Sequence, residues 1–285
     1  MDFGKGRSYL AMIGRQGGRH RYRPFAAAER VISMCGRYVI KSSPAELRAA
    51  FGYGEQPNFP PRYNVAPTQP IPVVRLEGGK RSFALMRWGF VPGWVKDPKT
   101  VSLMINARGE SVNDKPAFRN AMRRRRCLIP ADGFYDWRPG EPQRPYFVRA
   151  KSGAPVAFAG LWETWIGPNG EEVDTAAIVT TRANRLLSAI HERMPVIVAP
   201  EAFALRLDCA NVDATTAAAL IAPAPEALLE CYEVSPAVNR VVNDTADLIA
   251  PAPAIADRDA QPAANAPAKA AKRKKPDPDD QPSLF

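Results

Sequence analysis

The sequence predicts a protein of mixed α and β structure, and two features of its 285 residues support that prediction. Short runs rich in β-branched and aromatic residues recur between residues 36 and 243, and Gly, Pro or Asn turn signals bound them, as is typical of strands. Only a few short helical patterns lie between these runs. Hydrophobic residues make up 46% of the chain, which is enough for one large domain or two small ones.

The first predicted elements are a strand, a helix and a hairpin. Gly36–Ile40 has the composition of a strand. A helix is predicted over Ser43–Gly52, because its first four residues supply an N-cap serine, a proline at the first helical position and an acid near the end of the first turn. Ile71–Arg75 and Ser82–Trp88 flank the turn sequence Glu77-Gly78-Gly79 and predict a hairpin.

The later elements are short and alternate irregularly along the chain. Strands are predicted over Cys127–Pro130, Pro145–Arg149, Val156–Glu163, Val173–Thr180, Pro195–Val198 and Cys231–Val234, and helices over Ala117–Arg125, Asn184–Ser188, Pro200–Arg206 and Asp213–Leu220.

Composition divides the chain into an extension, a body and a tail. Residues 1–33 are Gly- and Arg-rich and carry +5 of the formal net charge of +10, whereas residues 34–250 carry +4. Residues 251–285 contain seven prolines and much Ala and Lys, which predicts a disordered tail. The extension is a start codon assigned too early, an Arg-rich leader or a true extension. The first interpretation is favoured, so that residues 1–33 are non-native or are removed.

Charge and cysteine spacing limit the class of protein. The body is mildly basic, which is compatible with nucleic-acid binding. The four cysteines lie far apart with no CxxC pair, which indicates a reducing, cytoplasmic environment and no disulfide, metal or cofactor. The chain has no apolar run of about 18 residues, so no transmembrane helix is predicted.

Cys35 is the residue around which the chemistry is predicted. If translation starts at Met34 and that methionine is removed, Cys35 carries a free α-amine beside its thiol. The amine condenses with an aldehyde to a Schiff base, and the thiol then closes a thiazolidine with an effective molarity of about 10⁵ M or more. An α-amine titrates near ~7.7–8.0, so part of it is nucleophilic at neutral pH. The alternative is that Cys35 is a small hydrophobic residue in a strand.

Four segments pair a chemically competent residue with an arginine or an aromatic side chain two positions away. The pairs are Cys35 with Arg37, Asn106 with Arg108, His191 with Arg193, and Asp136 with Phe134. Spacing by two places both side chains on one face of a strand. The arginines together suit phosphate contacts, although any one of them taken alone is expected to form a surface salt bridge.

Three of these side chains suit proton transfer or substrate binding. His191 transfers protons near neutral pH, although a lone histidine is more often structural. Asp136 lies in an aromatic segment, and burial there is expected to raise its pKa. Asn106 is suited to hydrogen-bond a substrate oxygen. Trp88 and Trp94 fit either core packing or a stacking surface for bases, and the arginine run Arg123–Arg126 fits a solvated helix end or a phosphate contact.

The motifs taken together resemble the SOS-response-associated peptidase (SRAP) family over about residues 34–250. The resemblance is carried by Met34–Tyr38, Asn64–Gln69, Trp88–Pro92, Asn106–Glu110, Arg126–Trp137, Phe158–Trp162 and His191–Pro195. It implies a single α+β domain around a mostly antiparallel, barrel-like sheet with peripheral helices. It also implies covalent capture of abasic sites in single-stranded DNA.

The resemblance implies roles for individual residues. Cys35 is the nucleophile and Asn106, Asp136 and His191 are its catalytic neighbours. Arg37, Arg108 and Arg193 are phosphate contacts, and Pro67, Trp88, Trp94 and Trp137 complete the expected DNA-binding surface. The sequence departs from the family at Asp136, where the family usually has Glu, so the carboxylate reaches about one methylene less far.

Two other functions and one further partner are compatible with the sequence. Cys35 and His191 are suited to form the thiolate pair of a cysteine peptidase, and the tryptophans and arginines suit a non-enzymatic single-strand binder. The final residues, Gln281 to Phe285, resemble the short motif that docks bacterial DNA-processing proteins onto the replication sliding clamp, with Gln281, Leu284 and Phe285 as its contacts. A nucleoid-associated cytoplasmic protein is expected from these features.

Overall fold

The computed structural model describes residues 36–140 and 142–253, and these hold thirteen strands and five α-helices. The strands are β1 (Arg37–Ile40), β2 (Arg62–Val65), β3 (Pro70–Glu77), β4 (Lys80–Trp88), β5 (Asn106–Arg108), β6 (Arg126–Ala131), β7 (Gly133–Arg138), β8 (Arg144–Ala150), β9 (Val156–Ile166), β10 (Glu172–Arg182), β11 (Arg193–Pro195), β12 (Ile197–Val198) and β13 (Leu229–Glu233). The helices are α1 (Pro44–Phe51), α2 (Arg119–Arg124), α3 (Arg185–Ser188), α4 (Phe203–Leu207) and α5 (Ala214–Ala218).

Five strands close into a barrel. In the order β10, β4, β3, β6 and β9, each strand pairs with the next, and β9 pairs again with β10. Among the strands of the described residues, only the pairings of β10 with β4 and with β5 are parallel. Closure leaves these five strands without free edges, and alternate side chains fill the interior. The expected α+β domain around a mostly antiparallel, barrel-like sheet is therefore confirmed.

A second sheet of five strands contains β1, the first strand of the described residues. Its strand order is β13, β8, β7, β1 and β2. Tyr38 and Ile40 of β1 belong to the main hydrophobic core, whereas Val39 faces a smaller cluster with Tyr135 and Val238. Strand β1 is thus buried on both faces, and it runs between the barrel and the C-terminal part of the body.

Helix α1 forms where the sequence predicts it. Ser43 accepts a hydrogen bond from the Glu46 amide at 3.3 Å, the Glu46 carboxylate accepts one from the Ser43 amide, and Gly52 ends the helix in the left-handed conformation. Leu47 and Phe51 are fully buried, and each contributes roughly 1.5–3 kcal/mol of hydrophobic stabilisation.

Two predicted elements are shorter or divided in the structure. Helix α2 covers only Arg119–Arg124, because Arg126 already pairs with Leu161 in the barrel. The single strand predicted over Pro195–Val198 is two strands, since β11 pairs with β10 and β12 pairs with β9. The chain changes partner at Val196, whose amide donates to Val179 O while its carbonyl accepts from Ala159. In the part of the chain that the structure describes, no helix is long and apolar enough to cross a membrane.

Candidate active site

Trp88 joins the strand that follows Cys35 to the strand that begins with Asn106. Its side chain has no solvent exposure, and its Nε1–H donates to Ile105 O at 3.0 Å. The Tyr38 ring meets the indole edge-on, with 5.5 Å between the centroids. The expected role of Trp88 in stacking on bases is wrong, because no base can reach a fully buried ring. Trp88 is a core residue that holds two site-bearing segments together.

The loop that contains Pro67 is fixed to the same tryptophan through its backbone. Thr68 N donates to Trp88 O at 2.7 Å, and Trp88 N donates to Gln69 O at 2.9 Å. Thr68 has φ 73°, a left-handed conformation that non-glycine residues seldom adopt. Gln69 Oε1 accepts from Ala66 N at 3.0 Å. Half-buried Pro67 therefore sits on an ordered turn next to β4.

Strand β5 presents Asn106 and Arg108. It pairs in parallel with β10, where Asn106 lies opposite Ile178 and Arg108 lies opposite Thr180. Ala107 between them is fully buried, so its two neighbours point away from the core. Arg108 is exposed, as a phosphate contact requires.

Arg193 is held by a carboxylate that the sequence analysis did not single out. Its two η nitrogens bond both oxygens of Glu110 at 2.6 and 2.8 Å, and the second also donates to Thr180 O at 2.9 Å. These bonds lower the pKa of Glu110 below its usual value. Arg193 is only 8% exposed, so the structure does not support a phosphate contact for it. Glu110 lies within the Asn106–Glu110 motif, which was the signal available in the sequence.

His191 follows α3 and is oriented by the backbone of Arg193. Its Nδ1 accepts the Arg193 amide at 3.1 Å, and its own amide donates to Leu187 O at 2.9 Å. A neutral imidazole that accepts at Nδ1 carries its proton at Nε2. The half-buried ring therefore offers an Nε2–H donor. The Arg193–Glu110 pair fixes the strand that supplies the orienting amide.

Strand register relates Asp136 to Gly36, the residue that follows Cys35 in the sequence. Strands β1 and β7 are antiparallel with Arg37 opposite Tyr135, so the same register continued by one residue places Gly36 opposite Asp136. Asp136 is 5% exposed, and its Oδ1 accepts the Trp137 amide at 2.9 Å. Asp136, which the sequence places within an aromatic segment, is thus a buried carboxylate opposite the residue that follows Cys35 in the sequence.

Arg37 and Trp137 lie together on the opposite face of β1 and β7 from Asp136. The Arg37 guanidinium carbon is 6.0 Å from the centroid of the Trp137 ring, and the indole Nε1–H donates to Asn239 Oδ1 at 2.7 Å. Arg37 NH1 donates to Asn64 Oδ1 at 2.9 Å and to Val238 O at 3.0 Å. Partial burial lowers the pKa of Arg37. Asn64 was visible in the sequence only as the first residue of the Pro67 motif.

The remaining predicted contacts separate into exposed and buried residues. Trp94 is 66% exposed and available to a ligand. In the arginine run, Arg126 is fully buried and donates to the carbonyls of Met122, Arg206, Asp208 and Val212, so it closes helix ends rather than binding phosphate. Arg123 and Arg124 are exposed.

Several assignments fall outside the described residues. Cys35, the extension 1–33 and the tail residues Gln281, Leu284 and Phe285 are among them. Within residues 36–140 and 142–253, no three His, Cys, Asp or Glu side chains cluster as they do around a metal ion.

The comparisons with known proteins cover most of residues 34–250. Residues 34–241 match the family model of the SOS response associated peptidases (SRAP). The abasic site processing protein YoqW of Bacillus subtilis (strain 168) is 38% identical over 221 residues, which cover 76% of this chain and 99% of that protein. The abasic site processing protein HMCES of Rattus norvegicus is 33% identical over 232 residues, covering 67% of this chain and 65% of that protein.

Solved structures share the fold. A protein from Bacteroides thetaiotaomicron superposes with a TM-score of 0.69 at 23% identity, over 76% of this chain and all of that chain. A phage-related protein from Bordetella bronchiseptica superposes with a TM-score of 0.57 at 31% identity, over 70% of this chain and 94% of that chain. The family match spans most of the body and includes every motif of the site, and the chain therefore belongs to the SOS response associated peptidase (SRAP) family.

Proposed function

We propose that this protein captures abasic sites in single-stranded DNA by forming a covalent bond through Cys35 as its N-terminal residue. The relatives named as abasic site processing proteins support the substrate. The observation that carries the proposal is the register that sets Asp136 opposite Gly36, next to the cysteine. Trp88 ties the same strand to the segment that begins with Asn106.

The reaction has two steps. The neutral amine of Cys35 attacks the aldehyde carbon of the ring-opened sugar, and the carbinolamine loses water to give a Schiff base. The thiol then adds to the C=N carbon, the nitrogen gains a proton, and a thiazolidine closes. Asp136 takes the protons that the amine loses and passes them to the departing oxygen, which leaves as water, while the Nε2–H of His191 hydrogen-bonds that oxygen. Asn106 hydrogen-bonds the sugar.

The same residues account for some lyase activity. A Schiff base promotes β-elimination of the adjacent phosphate, and ring closure by the thiol removes that intermediate. Capture therefore protects the strand in the DNA damage response as long as the thiazolidine persists.

DNA binding is proposed to use exposed cations and aromatic rings around the site. Arg37 and Arg108 contact phosphates, while Trp94, Trp137 and Pro67 contact bases or sugar. Arg193 acts through His191 and does not itself touch DNA.

Cys35→Ser tests the order of the two steps. The serine protein retains the amine but loses the thiol, so we expect an imine that borohydride traps and that dissociates without borohydride. Intact mass spectrometry with an oligonucleotide containing one abasic site provides the measurement. A stable adduct without borohydride would show that the thiol is not required, and the thiazolidine would then be the wrong product.

Peptidase activity is the alternative from a different class of enzyme. A Cys35–His191 thiolate pair would cleave peptides, whereas a plain single-strand binder would neither cleave nor crosslink. Incubation with abasic DNA and with a peptide library separates the three functions. We expect a mass shift only with the DNA.

The tail is proposed to dock onto the replication sliding clamp in the cytoplasm, at the nucleoid. Gln281, Leu284 and Phe285 match the expected contacts, and 35 residues lead from Ala250 to Phe285. Tethering raises the local concentration of the body near single-stranded DNA. Titration of purified clamp with a tail peptide tests this. Equal affinity after replacement of both Leu284 and Phe285 by Ala would contradict it.

A further inference from the structure

Asn64 is a fully buried polar residue that connects Arg37 to the C-terminal part of the body. Its Oδ1 accepts from Arg37 NH1 at 2.9 Å. Its Nδ2 donates to Val238 O at 3.1 Å, Arg240 O at 3.2 Å and Asn243 O at 2.8 Å. An amide with two hydrogens shared by three carbonyls is saturated. Asn64 thus fixes one arginine and one loop at the same time.

Asp244 also holds the loop over residues 238–244 against β2 by hydrogen bonds. Its carboxylate accepts from Asn64 N at 2.9 Å, and also from Tyr63 N and the Arg62 guanidinium. Val238 and Leu248 on either side are fully buried against Val39 of β1. The loop is therefore an integral wall beside Arg37.

The way Arg37 is held determines which of its donors face outward. Both hydrogen bonds that its side chain makes to the described residues use NH1, one to Asn64 Oδ1 and one to Val238 O. Among residues 36–140 and 142–253 no protein acceptor bonds its Nε–H or its second η nitrogen. These two form the fork that matches two oxygens of a phosphate. Trp137 lies at 6.0 Å from the guanidinium carbon and restricts the fork on one side.

We propose that Arg37, Asn64 and the 238–244 loop form a prebuilt phosphodiester subsite in which Asn64 is the positioning residue. The subsite takes a backbone phosphate of the DNA strand and rests on the function proposed above. Asn64 does not touch the DNA. It holds the guanidinium so that binding requires no ordering of a long side chain, which would otherwise oppose association.

The test uses the full chain beginning at Cys35 and a single-stranded oligonucleotide with a tetrahydrofuran abasic analogue, which has no aldehyde. Asn64→Ala and Arg37→Ala are each expected to weaken binding roughly fivefold to tenfold and to reduce the salt-dependence slope by about 0.7, the value for one phosphate contact on a single strand. The double variant should lose no more than Arg37→Ala alone, because both changes remove one contact. Additive losses, or an unchanged slope for Asn64→Ala, would contradict the subsite.

Arg149→Ala is the matched control for the loss of one positive charge. Arg149 belongs to the same sheet, but it pairs with Glu230 at 2.7 Å and not with Asn64. Its slope should stay that of the unaltered protein, and an equal reduction would show that the slope reports net charge rather than the subsite.

A second measurement does not depend on whether Asn64→Ala folds. Nitrogen-15 spectra of the arginine side chains in the unaltered protein should show slow rotation of the Arg37 guanidinium, and its Nε signal should shift when the analogue binds. The Arg193 guanidinium should also rotate slowly, but its signals should not shift when the analogue binds. An Arg37 Nε signal that stays unmoved at saturating DNA would overturn the proposal.

Crosslinking to abasic DNA separates this proposal from the function it rests on. If the variants bind the analogue as predicted but the unaltered protein forms no adduct, the chemistry is wrong and the subsite stands. If the unaltered protein forms the adduct and every variant has the same DNA concentration for half-maximal crosslinking, the subsite is wrong and the chemistry stands.

Discussion

Arg37 and Arg193 occupy corresponding places in two segments of the site, each two residues after a predicted reactive side chain, yet the structure holds them in opposite ways. Both η nitrogens of Arg193 donate hydrogen bonds to Glu110 or Thr180, and the residue is only 8% exposed to solvent. Within the described part of the chain, Arg37 is bonded through NH1 alone. The same residue at the same spacing therefore stabilises the protein in one segment and remains available to a ligand in the other.

The largest expected effect comes from Trp88, which joins the strand of Arg37 to the segment that begins with Asn106. Trp88→Ala removes a fully buried ring and its bond to Ile105 O, so we expect a loss of about 3–5 kcal/mol in the free energy of unfolding. Urea titration measures it. Trp94→Ala is the matched control, because Trp94 is 66% exposed and should change stability by less than about 0.5 kcal/mol. Similar losses for both would mean that Trp88 is not the link described.

Arg193→Ala is expected to be the next most damaging change. It leaves Thr180 O without its donor and the Glu110 carboxylate without its partner, which costs about 2–3 kcal/mol in unfolding free energy. The salt-dependence slope of binding to the abasic analogue should not change. A reduced slope with normal stability would show that Arg193 contacts phosphate after all.

Arg37→Ala should show the reverse pattern. Stability falls by less than about 1 kcal/mol, since only two bonds of a half-buried side chain are lost. The DNA concentration for half-maximal crosslinking should rise roughly fivefold to tenfold, with little change in the maximal rate. A slower maximal crosslinking rate at saturating DNA would show that Arg37 takes part in the reaction and not only in DNA binding.

Acid should weaken the ion pair between Arg193 and Glu110. Hydrogen bonding to Arg193 lowers the pKa of Glu110 in the folded state, so its contribution is present above its ordinary pKa and is lost as pH falls through the lowered value. The stability difference between the unaltered protein and Glu110→Gln should therefore shrink below about pH 4. Denaturation followed between pH 3 and 7 measures it. A difference that stays constant would contradict the pairing.

Asp136→Glu is expected to have the smallest effect. It restores the residue that the family usually has and lengthens the reach by one methylene, so crosslinking should be normal or faster. Asp136→Asn, which keeps the shape and removes the base, should slow crosslinking. Equal rates for Asp136→Asn and the unaltered protein would remove Asp136 from proton transfer.

Local chemistry explains which features the sequence could predict. The capping box of α1 and the glycine turn between β3 and β4 depend on residues within a few positions of each other, and both formed as predicted. The Asn64 bonds to Val238 and Asn243 join residues 174 and 179 positions apart, and Glu110 meets Arg193 across 83 positions. Spacing along the chain carries no signal for such pairs.

Besides these long-range contacts, the sequence pattern did not determine which aromatic and arginine side chains are buried. Trp88 and Trp94 belong to the same aromatic segment, yet one is fully buried and the other is 66% exposed. The four-arginine run divides in the same way, because Arg126 begins strand β6 and is buried against carbonyls of α2 and α4, whereas Arg123 is exposed. Only the closed barrel determines which member of each set a ligand can reach.

The measurement that tests the central claim most directly is the intact mass of two forms of the protein after incubation with single-stranded DNA that contains one abasic site. Protein beginning at Cys35 should gain the mass of the oligonucleotide less one water, and the adduct should persist without borohydride. Protein that retains residues 1–33 should gain nothing, because its Cys35 amine is part of a peptide bond. An equal adduct on the extended protein, shown by mass to be unprocessed, would contradict the N-terminal amine mechanism.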